Sequence, residues 1–330
     1  MAPRNTAIAA MGSYVPEDTI TNDDLEQMVD TSDEWITGRT GIKERRKGKP
    51  DQCTSDLAYE AAREALDRAG VSPDQLDAVI VATISPDMNF PSTACFLQKK
   101  LRCHNAACWD VSAACSGFLY ALRSGRALIG SGDCDNVLIV GSEFMTKITN
   151  YEDRTSCILF GDAAGAAVLQ PSHGRRRVLD IFTISDGYSD AAMSMVLRCG
   201  GTQSPFCPEA LERKEHLQVI HGREVYRFAV TKLTEVIQQA AEKQGVPVSE
   251  IDAIIPHQAN LRILQAVAER LDYPEERFFI NLDKYGNSSA ASVPVALDEA
   301  DKQGFISEGD LVVLAVFGAG LTWASATLRW

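Results

Sequence analysis

LAYEAAREALDRAGVSPDQLDAVIVATIS (Leu57–Ser85) and FAVTKLTEVIQQAAEKQGVPVSEIDAIIPHQAN (Phe228–Asn260) are two copies of one pattern, and their recurrence decides the fold. Each copy is an amphipathic helix that stops at a glycine, Gly70 or Gly245, where a residue without Cβ takes the helix-ending turn. A Val, a Pro-containing turn and a short β-branched strand follow. Asp77 of DAVIV falls on Asp252 of DAIIP, an offset of 175 (252 − 77). DNVLIVGSE from Asp135 matches GDLVVLAVFGAG at the same offset, with Asp135 on Asp310. SAAC from Ser112 matches SAAS from Ser289 at an offset of 177, which places Cys115 opposite Ser292. His257 falls opposite Ala82. Helices alternating with apolar strands imply α/β layering with mostly parallel strands. A period this long is that of a duplicated domain, not of a solenoid. The halves are assigned to residues 1–172 and 173–330, divided at the polar crossing PSHGRRR (Pro171–Arg177). A pseudo-twofold relation between them would bring the helix starts at Cys115 and Ser292 together.

The chain has 330 residues, 45% hydrophobic and 23% charged, enough for a sizeable core. A net charge of −13 argues against nucleic-acid binding. The basic runs KERRKGK (Lys43–Lys49) and RRR (Arg175–Arg177) read as solvated loops. Nine cysteines without CxxC pairs or dense spacing point to a reducing cytoplasm. Cys103-His104 with Cys108, and Cys199 with Cys207, lack zinc-site spacing, so no metal is expected. MAPRNTAIAAMGSYVP has no charged leader and long apolar core, and no run reaches membrane-spanning length. A soluble protein that neither crosses nor is exported through a membrane is expected.

The chemistry begins at Cys115. AACWDV (Ala106–Val111) reads as a strand leading into SAACSG, and Phe118, Leu119, Leu122, Ala127 and Leu128 follow at helical spacing. A thiol at a helix start faces unpaired N–H groups that favour its thiolate, so Cys115 is a candidate nucleophile. Inert packing is the ordinary fate of a free cysteine, and a redox-sensing thiol is another. His257 follows the strand IDAII at its carboxyl end, where open α/β sheets collect ligands. Asn287 lies in KYGNSSAASVPVAL, a turn before a helix, where asparagine otherwise caps or turns the chain.

DVSAACSGF, PHQAN, YGNSSAASVP, FGDAAGAAVL, the C-terminal FGAGLTWASATLRW and the N-terminal DTSDEWITGRTGIKERR together resemble β-ketoacyl-acyl carrier protein synthase III of the thiolase superfamily, in order from about residue 6 to Trp330. The resemblance implies a thiolase-like αβαβα architecture. It implies condensation of a short acyl-CoA with malonyl-acyl carrier protein, giving β-ketoacyl-acyl carrier protein, CO2 and CoA, without a separate cofactor. Cys115 then matches the acyl-accepting nucleophile, and His257 and Asn287 match the donors to the malonyl thioester oxygen. The backbone N–H groups of Cys115 and Gly318 match an oxyanion hole, with Phe317 shaping the pocket. Thr31, Trp35, Arg39 and Arg154 match contacts to the nucleotide end of CoA, and Asn260 a pantetheine contact. Arg262 and Arg227 match the docking patch for the acidic carrier. Phe90 matches a residue that closes the partner's acyl pocket in a homodimer. Arg198–His216 is longer than the usual segment over that pocket. It either reshapes the pocket or extends a surface loop. The alternative function is a related starter-unit enzyme of a polyketide or secondary pathway, or an acyltransferase that does not condense. Thiolases carry a second cysteine where Asn287 stands, and a catalytically dead subunit would lack one of the three reactive residues.

Overall fold

The computed structural model describes residues 4–172, 174 and 176–330, so His173 and Arg175 of the expected crossing lie outside the described residues. Nine strands form the main sheet: β1 Thr6–Tyr14, β2 Ala78–Ala82, β3 Ala107–Val111, β4 Val137–Glu143, β5 Ala163–Pro171, β6 Arg177–Ser185, β7 Ala253–Pro256, β8 Leu311–Gly318 and β9 Thr322–Arg329. Their order is β7-β8-β9-β6-β1-β5-β4-β2-β3. Strands before Pro171 take one side and strands after it the other, meeting where Ala7 of β1 pairs with Arg177 of β6.

The helices follow from their spacing. Helix α1 covers Asp33–Thr40, α2 Thr54–Ala69, α3 Thr93–Leu101, α4 Gly117–Ser131, α5 Gly222–Gln244, α6 Leu261–Leu271 and α7 Ser292–Lys302. In α2, Leu57, Ala58, Ala61, Ala62, Ala65 and Leu66 bury one face. Gly70 ends α2 at φ 65° and Gly245 ends α5 at φ 72°, the left-handed conformation that suits glycine. The repeated aspartates stitch strands. Asp77 Oδ2 accepts the N–H of Asn136 at 2.9 Å, and Asp252 Oδ2 accepts that of Leu311 at 2.7 Å.

Three layers of helix enclose two of sheet. One outer core joins α2 and α3 to β2, β4 and β5, and the other joins α5 and α6 to β7, β8 and β9. Between them α4 and α7 share a core with strands of both halves, through residues such as Phe118, Leu122, Val293 and Leu297. This is the αβαβα thiolase fold.

KERRKGK is not a solvated loop, because Glu44–Arg46 pairs as a strand with Thr19–Thr21 and Arg45 is buried, donating to Ile158 O and Asn22 Oδ1. Two further expectations need correction. The strands are not mostly parallel: β2·β3, β2·β4 and β7·β8 are parallel, but β1·β5, β1·β6, β4·β5, β8·β9 and β9·β6 are antiparallel. The short link Ala319–Leu321 between β8 and β9 cannot make the crossover that parallel pairing demands. The second correction concerns the SAAC and SAAS stretches. Helices α4 and α7 start at Gly117 and Ser292, and the strained residues Ala114 (φ 46°) and Ser289 (φ 50°) precede them, both pairs 175 positions apart. Cys115 is therefore opposite Ala290, not Ser292, because backbone conformation and not the small-residue string sets the register.

Candidate active site

Cys115 sits in a single 3-10 turn, Ala114–Ser116, between the end of β3 and the start of α4. A non-glycine residue at positive φ costs about 1–3 kcal/mol, and here Ala114 bends the chain immediately before the thiol. The matching turn Ser289–Ala291 packs against it from the second half. Gly117 permits this closeness: a Cβ there would stand 3.0 Å from Ala82 Cβ and 3.5 Å from Ala290 Cβ.

Cys115, His257 and Asn287 line one cavity of about 630 Å³. Its other walls include Met145, Met195, Val225 and Phe317. The Cys115 thiol donates to Ser289 Oγ at 3.6 Å, and Ser289 Oγ donates to Glu143 Oε1 at 2.9 Å. Burial pushes the thiol up to about 12; the Ser289 hydrogen bond opposes that shift and the Glu143 charge adds to it. Burial therefore acts against the thiolate that a helix start favours.

Glu143, at the end of β4, is fully buried and ringed by donors. It receives Thr83 Oγ1 at 3.0 Å, Ser85 Oγ at 2.6 Å, and the N–H groups of Ile84 and Ser85 at 3.1 Å each. Burial raises its pKa against these hydrogen bonds. Neither Glu143 nor Ser289 was singled out by sequence. The serine has only its place two residues after Asn287 to distinguish it, and the glutamate reads as an ordinary strand end.

His257 follows β7, its main-chain N–H donating to Ala315 O at 2.8 Å. Its ring is buried, with Nδ1 2.6 Å from Ser292 Oγ, and desolvation lowers its pKa to about 3. The imidazole is neutral. Asn287 is buried, and its Oδ1 accepts the N–H of Ser289 at 2.9 Å. A backbone N–H can only donate, which assigns Oδ1 to that side and leaves Nδ2 as the donor.

Gly318, the last residue of β8, lies flush against the Cys115 turn. A Cβ on it would stand 2.8 Å from Cys115 N and 3.3 Å from Cys115 Cβ. Phe317 beside it is buried.

A second cluster sits on α1. The guanidinium carbons of Arg39 and Arg154 lie 4.9 and 4.8 Å from the Trp35 ring centroid. Arg154 Nη1 also donates to Asp30 O at 2.7 Å. Thr31 Oγ1 is buried without a partner among the described residues. Asn260 joins this cluster to the cavity, which it lines: its Nδ2 donates to Arg39 O at 3.1 Å while its Oδ1 caps α6 at Arg262 N. Arg262 and Arg227 are exposed on α6 and α5, whose neighbours Ile263 and Val225 line the cavity. Phe90 lies outside its own chain's cavity lining and is 85% exposed. The long segment touches the cavity: Cys199, Gly200 and Gly201 line it, and Asn89 Nδ2 holds Gly200 O at 3.1 Å. Among the described residues no cluster of three or more His, Cys, Asp or Glu is arranged to hold a metal.

Residues 109–187 match the family described as 3-oxoacyl-[acyl-carrier-protein (ACP)] synthase III, and residues 241–330 match its C-terminal part. A β-ketoacyl-[acyl-carrier-protein] synthase III of Caldanaerobacter subterraneus subsp. tengcongensis is 48% identical over 323 residues, covering 98% of this chain and 97% of the relative. The crystal structure of a β-ketoacyl-[acyl carrier protein] synthase III from Thermus thermophilus superposes with a TM-score of 0.90 at 43% identity, covering 98% of this chain and 99% of that one. The priming β-ketosynthase of the R1128 polyketide pathway superposes with a TM-score of 0.89 at 33% identity, covering 99% and 97%. Fold and comparisons define a condensing acyltransferase of the thiolase fold. The chain belongs to the β-ketoacyl-acyl carrier protein synthase III family.

Proposed function

We propose that this protein condenses an acyl-CoA starter with malonyl-acyl carrier protein, initiating fatty acid synthesis through an acyl-Cys115 intermediate. The observation that carries this reading is one cavity lined by a thiol, an imidazole and an amide, with Gly318 against the thiol's own backbone N–H. In the first half-reaction the Cys115 sulfur attacks the acyl thioester carbon. A tetrahedral oxyanion forms and accepts the N–H groups of Cys115 and Gly318, and the C–S bond to CoA then breaks. The thiol proton leaves with CoA as its free thiol. Because the resting thiol is protonated, the thiolate forms only as the thioester is attacked.

In the second half-reaction the malonyl C–CO2 bond breaks. The electron pair passes into the thioester as an enolate whose oxygen accepts hydrogen bonds from His257 and Asn287 Nδ2. A neutral imidazole and an amide suit this task because each donates without surrendering a proton. The nascent carbanion attacks the acyl-Cys115 carbonyl, the C–S bond breaks as the tetrahedral adduct collapses, and the released Cys115 sulfur takes a proton from water to restore the thiol. CoA and the carrier-bound malonyl group are substrates, so the chemistry needs no separate cofactor.

The Trp35 cluster fits the nucleotide end of CoA. An adenine can replace one of the two guanidiniums on the indole face, and Thr31 supplies an unused hydroxyl. Exposed Arg227 and Arg262 flank the cavity and fit an acidic carrier despite the chain's net charge of −13. Exposed Phe90 fits a homodimer in which it closes the partner's pocket. Among the described residues no helix is long and apolar enough to cross a membrane. A cytoplasmic location is proposed on the nine cysteines, which lack the spacing of a disulfide scaffold. The domain assignment, residues 1–172 with the nucleophile and 173–330 with the two donors, follows from the repeat.

Likeness to a polyketide priming ketosynthase supports a second reading, in which the product starts a polyketide. The test supplies acetyl-CoA, branched acyl-CoAs or longer acyl-CoAs together with malonyl-acyl carrier protein and reads the mass of the carrier. A β-ketoacyl carrier with any starter supports condensation. Acylated protein with no carbon–carbon product overturns it in favour of simple acyl transfer.

A further inference from the structure

We propose that Ser292 is a positioning residue that holds His257 in the Nε2–H tautomer. The inference rests on the functional reading above. The two atoms are 2.6 Å apart, and Ser292 is 1% exposed at the first residue of α7. Among the described residues the bond to His257 Nδ1 is the one side-chain hydrogen bond of Ser292 Oγ, and no hydrogen bond reaches the Nε2 side of the ring.

A neutral imidazole carries one N–H, so only two arrangements exist. If Nδ1–H donated to Ser292 Oγ, the serine's own hydrogen would point into a buried region without an acceptor. Leaving a buried donor unpaired carries its full desolvation penalty. If instead Ser292 Oγ–H donates to Nδ1, the hydroxyl and Nδ1 are both satisfied, and the ring's single proton must sit on Nε2, on a residue that lines the cavity. That nitrogen is then the donor that an enolate oxygen requires. The hydroxyl therefore acts through histidine without touching substrate. The duplicated turn and the helix start that follows it consequently hold both groups: Ser289 bonds the thiol, and Ser292, three residues on, bonds the imidazole.

The test uses full-length protein labelled with 15N-histidine, and the chain has five histidines. The His257 signal is assigned by its loss in His257→Gln. Nitrogen–proton correlations across the ring distinguish the tautomers. Wild type is expected to show protonated Nε2 and bare Nδ1, whereas Ser292→Ala is expected to show a mixed or reversed pattern. Release of CO2 from malonyl-acyl carrier protein by Ser292→Ala is expected to fall about tenfold, the scale of one hydrogen bond, while acylation of Cys115 by acyl-CoA stays near wild type. Retained acylation shows that the fold is intact, and Ser292→Gly repeats the test with a different cavity. A wild-type Nδ1–H tautomer, or variants that keep both tautomer and CO2 release, overturns the proposal. Wild-type protein that never releases CO2 overturns the functional reading instead, while the ring spectrum still decides the role of Ser292.

Discussion

Replacing Gly318 with alanine places a methyl carbon 2.8 Å from Cys115 N, 3.1 Å from Ser116 N and 3.3 Å from Cys115 Cβ. Comfortable carbon contacts begin at about 3.5 Å, so the nucleophile turn and β8 must separate by roughly 0.7 Å. Neither neighbour is a flexible side-chain tip. Catalytic geometry tolerates displacements of about 0.5 Å, and an oxyanion donor is worth about 2.7–4 kcal/mol, or 10²–10³ in rate. The rate at which Cys115 takes an acyl group from CoA should therefore fall by about 10²-fold or more. Overpacking itself should cost only about 1–3 kcal/mol of stability, leaving a folded protein. Rapid quenching followed by intact mass gives the acylation rate, and thermal unfolding reports the fold. CO2 release from malonyl-acyl carrier protein, which uses His257 and Asn287, should suffer much less. An acylation rate within about threefold of wild type, less than 1 kcal/mol on the barrier, would refute an oxyanion hole at Gly318.

Asn287→Ala should keep acylation and lose condensation by about 10²-fold, the scale of one oxyanion donor; equal loss of both half-reactions would contradict the division of labour. Glu143→Gln removes a buried charge that raises the Cys115 pKa, so the inflection in the pH dependence of iodoacetamide alkylation should move to lower pH. An unchanged or higher inflection would show that the carboxylate does not act on the thiol. Burial lowers His257 from 6.5 to about 3, so CO2 release should show no imidazole inflection near pH 6.5. The sign for stability follows: the unfolded state binds this proton more tightly. The contribution of the buried ring is whole above pH 6.5 and is lost as pH falls toward 3, which unfolding midpoints across that range will show.

The duplicated architecture was legible because it rests on residues with distinct jobs. Gly70 and Gly245 end helices, while Asp77 and Asp252 each hold the start of a neighbouring strand. Where residues were all small, the register slipped by two positions. SAAC and SAAS look alike as strings, but the positive φ at Ala114 and Ser289 is the true landmark. That Cys115, His257 and Asn287 share one cavity was legible through their motifs, yet the surroundings of the thiol were not. A helix start favours the thiolate, and only the packed surroundings show the burial that opposes it. Ser289 and Glu143 were missed because their importance lies in contacts 146 positions apart, between elements that only the folded halves bring together. The antiparallel β8·β9 pair was overlooked although its short link was visible throughout.

The most direct test of the central claim is a two-step mass measurement. Protein is incubated with acyl-CoA alone, freed of it, and then given malonyl-acyl carrier protein. One acyl group is expected on Cys115, absent from Cys115→Ala, and malonyl-acyl carrier protein should discharge it as β-ketoacyl carrier. No adduct with any starter, or an adduct that persists while β-ketoacyl product accumulates, would contradict an acyl-cysteine pathway.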